Sequence, residues 1–93
     1  MRIIGTIAHP NLKITIFKTD NRISVKFENE GYEQTVKFGM DERMGTVEAV
    51  QKWADAVFLE GVLRRMQDLH QQNLSALARA FPAAGEEEFE TII

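Results

Sequence analysis

Cysteine is missing altogether from the 93 residues. That excludes a disulfide, a thiolate nucleophile and a Cys-ligated zinc or iron–sulfur site, and it suits a reducing compartment, so a cytoplasmic location is expected. Proline is scarce, with two residues, and no low-complexity tract interrupts a chain that is 44% hydrophobic and 27% charged. This is the composition of an ordinary folding domain. Long apolar runs are absent too. The opening Met1–Pro10 is too short and too interrupted for a signal-peptide hydrophobic region, and no stretch approaches about 18 apolar residues, so neither export nor a membrane span is expected.

The usual marks of catalysis and cofactor binding are equally sparse. None of the six glycines belongs to a G-x-G-x-x-G or G-x-x-x-x-G-K-[ST] pattern, so no phosphate cradle and no nucleotide cofactor is expected. The two histidines, His9 and His70, have no Asp, Glu or His partner at a metal-ligand spacing. His9 reads as a turn residue before Pro10, and His70 as part of a helix interface. Ser24 and Ser75 lie in regular elements without the glycine-flanked setting of a nucleophile elbow. No catalytic, metal or cofactor residue is assigned, and the chain reads as a non-enzymatic protein.

Ninety-three residues make one small domain, which removes only about 60–65% of the unfolded surface from water. Its net charge of −3 is unevenly spread. Residues 1–40 hold six Lys/Arg against four Asp/Glu, and residues 41–93 hold five against ten.

Four alternating or β-branched runs separated by turn signals predict an antiparallel β-meander over residues 2–38. Arg2–Ala8 ends at His9-Pro10-Asn11. In the second run Leu12, Ile14 and Ile16 share one face, and Asp20-Asn21 tolerates the positive φ of a tight hairpin. Ile23, Val25 and Phe27 alternate with Arg22, Ser24, Lys26 and Glu28 in the third. After Asn29-Glu30-Gly31, where glycine is expected in a left-handed position, Tyr32, Gln34, Val36 and Phe38 form the inner set of the fourth, with Gln34 its one polar member. Residues 40–44 show neither period and read as the connection out of the sheet.

A helix is expected over 47–81, with Thr46 as N-cap and Phe81-Pro82 as the stop. At 100° per residue Val47, Val50, Ala54, Val57 and Gly61 share a stripe, which Arg64, Arg65, Asp68, Gln72, Ser75 and Arg79 continue as polar residues. Apolar residues reappear on the opposite side. Leu59, Leu63, Met66, Leu77 and Phe81, with His70 and Asn73 between them, follow a spacing close to a heptad seam. A straight helix of this kind must bury its halves against two different surfaces. Either it breaks near Gly61 and folds back, or its second half docks on another copy of the chain. A two-fold homodimer is the favoured expectation, with these seven residues at its interface.

The outward sheet face offers the other candidate site. Lys13, Arg22, Lys26 and Lys37 stand there beside Phe17, a combination that suits single-stranded nucleic acid because charge follows the backbone and rings stack on bases. Residues 83–93, with Glu86-Glu87-Glu88 followed by Phe89, Ile92 and Ile93, read as an acidic, solvated tail whose apolar end has the chemistry to dock.

Four meander strands and then a helix resemble, in topology, the repeat unit of the Whirly and PUR families. That resemblance implies single-stranded nucleic-acid binding on a β-sheet surface. The expectation from the residues themselves is an α+β domain over 1–82 that acts as a homo-oligomeric interaction module, with nucleic-acid binding as the alternative.

Overall fold

The structure is a computed structural model that describes residues 1–39 and 41–82; the acidic segment 83–93 lies outside the described residues. Four antiparallel strands, β1 (Arg2–Ile7), β2 (Lys13–Thr19), β3 (Arg22–Glu28) and β4 (Glu33–Phe38), form one sheet in the order β1-β2-β3-β4. The meander is as the alternation predicts. Ile14 pairs with Phe27, Ile16 with Val25, Phe27 with Gln34 and Val25 with Val36, so the buried side chains stack in rows on one face.

The turns explain the register. Asp20 takes φ 54 in the two-residue β2–β3 hairpin, where an aspartate tolerates the left-handed region. The β3–β4 turn is built differently from the expectation, because no glycine among the described residues has positive φ. Asn29 Oδ1 instead accepts from the backbone N–H groups of Gly31 and Tyr32 at 3.0 and 2.9 Å, an Asx-type turn that does not require the left-handed region. In β1 the register shifts between Ile3 and Gly5, leaving Ile4 as the extra residue of a bulge. Gly5 then faces the helices. A Cβ there would lie 3.0 Å from Val47 Cγ2, so glycine is what lets the helical layer approach this closely.

A short 3-10 turn, Glu42–Met44, is capped by Asp41 and leads to two helices, α1 (Val47–Trp53) and α2 (Ala56–Ala80). Thr46 caps α1 as expected, its Oγ1 accepting from the Ala49 N–H at 3.1 Å. The break falls at Ala54–Asp55 and not at Gly61, which lies within continuous α2. Asp55 leaves the helical region at ψ 179 and its carboxylate accepts from the Phe58 N–H at 2.9 Å, starting a new helix without glycine or proline.

That break resolves the exchange of faces. Val50 and Ala54 from α1 join Val62 and Met66 from α2 in one core cluster against the same sheet face, with Ile14, Ile16, Val25 and Phe27 below them. Trp53 packs between Phe38 and Phe58, at 4.8 and 4.3 Å between ring centroids. The domain thus has two layers, and the opposite face of the sheet is uncovered among the described residues. At 1.5 Å per residue α2 is about 37 Å long, against about 23 Å for a seven-residue strand, and it overhangs the sheet. The Cα radius of gyration of 16.9 Å, where about 12 Å is usual for a compact chain of this size, reflects that elongation. Among the described residues no helix is long and apolar enough to cross a membrane.

Candidate functional site

Where α2 leaves the sheet, its inner face, the β1–β2 turn and the β3–β4 turn enclose an open groove of about 1400 Å³. The apolar part of its lining comes from Leu12, Leu63, Met66, Leu74 and Leu77, and polar walls come from His9, Lys13, Glu28, Glu30, Tyr32, Glu60, Arg64, His70 and Asn73. Meander and overhang together create it. The strands bring both turns to one end, and the length of α2 carries its stripe past them.

A hydrogen-bonded cluster fixes α2 to that end of the sheet. The Tyr32 hydroxyl lies 3.0 Å from His70 Nδ1, and Asn73 Nδ2 donates to the same hydroxyl oxygen at 3.3 Å. One hydroxyl thus joins two residues of α2 that lie three apart in sequence. The Tyr32 and His70 rings meet edge to face at 5.8 Å. About two turns of helix earlier, Gln34 Nε2 donates to the Val62 carbonyl at 2.9 Å, which explains a polar residue in the inner set of β4. His9 has a local role, with Nδ1 accepting from the Asn11 N–H at 3.1 Å.

The seven residues of the heptad-like stripe divide into two groups. Leu59 and Leu63 pack, half-buried, against the chain's own core, and Met66 is buried at 4% exposure. His70 and Asn73 are held by Tyr32. Leu77 lines the groove, and Phe81 is 56% exposed at the end of α2. Leu69, at 39% exposure, and the half-buried Leu74 extend the apolar surface beside them. Sequence reasoning passed over Val62 and Leu74, and it placed Tyr32 in the inner set of the fourth run without its partners on α2. The signal for Val62 and Leu74 was present, since each lies three or four residues from members of the stripe; the contacts of Tyr32 with α2 had none, because its partners are 38 and 41 residues away.

On the uncovered sheet face, cross-strand pairing sets Phe17 beside Ile3 on β1 and Ser24 on β3, and Ser24 beside Lys37 on β4. Lys13, Phe17, Arg22, Lys26 and Lys37 therefore share one face. Lys26 Nζ sits 5.7 Å from the Phe17 ring centroid and 3.8 Å from Glu28. The two acids of this face, Glu28 and Glu33, oppose each other at the groove end, while Arg22 and Lys37 stand at the β2–β3 hairpin end. Ile3 is 62% exposed beside Phe17.

The Asp41–Arg43 ion pair lies away from both surfaces. The Arg43 guanidinium, hydrogen-bonded to Asp41, holds the Asp41 carboxyl below its ordinary value, and Asp41 in turn raises Arg43. Among the described residues no three His, Cys, Asp or Glu side chains group as a metal site would require. Searches against protein-family models, curated proteins and solved structures find no match to the chain.

Proposed function

We propose that the chain is a small, non-enzymatic, cytoplasmic interaction module that works as a homodimer. The observation that supports this is the apolar stripe of α2. It runs past the end of the sheet through Leu69, Leu74, Leu77 and Phe81, beyond the elements that bury Val62 and Met66. A second copy supplies the matching surface, because its own overhang has the same stripe and the same groove. Antiparallel pairing about a two-fold axis near His70 seats each overhang against the other's groove wall.

Light scattering on a Leu74→Glu, Leu77→Glu variant tests the contact. Two carboxylates set into the seam raise the dissociation constant at least about a hundredfold, since every ~1.4 kcal/mol is tenfold and each desolvated charge costs more than that. A variant that keeps the dimeric mass with intact amide dispersion would refute this interface.

The second reading is single-stranded nucleic-acid binding through Lys13, Phe17, Arg22, Lys26 and Lys37, with the topological likeness to Whirly and PUR repeats in its favour. Its support is the placement of all five on one uncovered sheet face. It predicts an affinity for an oligonucleotide that falls steeply with salt. Failure to retain a labelled oligonucleotide at low salt would end it.

A further inference from the structure

The hairpin end of the uncovered sheet face is basic and partly apolar. Arg22 and Lys37 form no ion pair among the described residues, Lys26 lies over Phe17, and Ile3 is 62% exposed beside it. The chain also holds the complement of this patch. Residues 86–93, Glu-Glu-Glu-Phe-Glu-Thr-Ile-Ile, contain four acids, no base and three large apolar side chains. We infer that residues 86–93 bind the outer sheet face of the partner copy at Arg22, Lys26 and Lys37, with their apolar side chains against Ile3 and Phe17. This rests on the dimer reading.

Reach decides between the chain's own patch and its partner's. Pro82 ends the overhang about 17 Å beyond His70 at 1.5 Å per residue. The patch lies at the far end of the sheet, a further ~20 Å along the strands, and on the opposite face, about 10 Å through the layer. Glu86 is four residues past Pro82, within about 14 Å of it, and all of residues 83–93 fully extended span about 36 Å. A copy therefore cannot bring these acids to its own patch.

In the antiparallel dimer the geometry reverses. A two-fold axis near His70 places Pro82 of one copy beside Phe58 of the other. Phe58 packs on Trp53, Trp53 on Phe38, and Phe38 is the neighbour of Lys37 at the β4 edge. From there the patch lies on the order of 15–20 Å away around one sheet edge, and residues 83–93 cover that distance.

The test uses the full chain with Thr91→Cys as its single cysteine, carrying a nitroxide. ¹⁵N-labelled, cysteine-free chain is mixed with an excess of spin-labelled chain without isotope, and the mass of the same sample is measured. The expected result is a dimeric mass with selective loss of the amide signals of Ser24, Lys26 and Lys37, reversed by 1 M salt and by Arg22→Glu, Lys37→Glu in the isotope-labelled copy. A dimer without that loss overturns the docking and leaves the dimer standing. So does loss confined to Tyr32 and His70 in the groove, or loss that survives the charge reversal. A monomeric mass removes both proposals.

Discussion

The Tyr32 hydroxyl is the polar tie between the β3–β4 turn and the second half of α2, and Tyr32→Phe removes it without changing the ring. Two hydrogen bonds are lost, one with His70 at 3.0 Å and one from Asn73 at 3.3 Å. A net value near 1 kcal/mol each, reduced because the cluster is only part-buried and water replaces some of it, gives about 1–1.5 kcal/mol. For a chain of this size that lowers Tm by about 5–10 °C at fixed protein concentration. His70→Phe keeps the edge-to-face contact and removes the hydrogen-bonding nitrogen, at a similar cost. In the double variant the two costs are not additive, and a coupling of about 0.5–1 kcal/mol remains, because both changes remove one contact. Amide exchange adds the spatial readout, with faster exchange expected across residues 67–77 and little change in β2. Additivity within about 0.3 kcal/mol, or a uniform rise in exchange, would refute the role given to this contact.

Other variants test the fold that positions the groove. Gly5→Ala places a methyl group 3.0 Å from Val47 Cγ2 and is expected to destabilise by about 1–3 kcal/mol in urea titration, with Val47→Ala restoring part of the loss in the double variant. Asp55→Ala removes the cap of α2 and costs about 1 kcal/mol, whereas Asp55→Ser is nearly neutral; equal losses would show that the carboxylate bond to the Phe58 N–H is not what matters. Phe27→Ala, at a fully buried position beneath Trp53 and Phe58, costs about 3–5 kcal/mol, a large part of the stability of a domain this small. A loss below 1 kcal/mol there would contradict the core described above.

The sheet was legible because its information is local. Ile23, Val25 and Phe27 alternate with polar neighbours, and Asp20-Asn21 marks the hairpin whatever the rest of the chain does. Thr46 was legible for the same reason. The helix break was not, because Trp53-Ala54-Asp55 contains no glycine or proline and Asp55 passes for an exposed helical residue when the phase is carried straight from Val50. That phase error made Leu59, Leu63 and Met66 look as if they faced away from the sheet. In the structure the break at Ala54–Asp55 resets the phase, and all three pack on the chain's own core. The uncovered stripe is therefore shorter than the periodicity implies and begins beyond Met66. The Tyr32–His70–Asn73 cluster and the bond from Gln34 to Val62 join residues far apart in sequence, where periodicity has nothing to say.

In the proposed homodimer the stripe through Leu69, Leu74, Leu77 and Phe81 is covered by a second copy of the chain. The most direct measurement is the molar mass of the unmodified protein by sedimentation equilibrium over a wide dilution series. A value of twice the 10.6 kDa chain mass, falling towards one chain only at the lowest concentrations, is the predicted result. A mass of one chain at every concentration would contradict it.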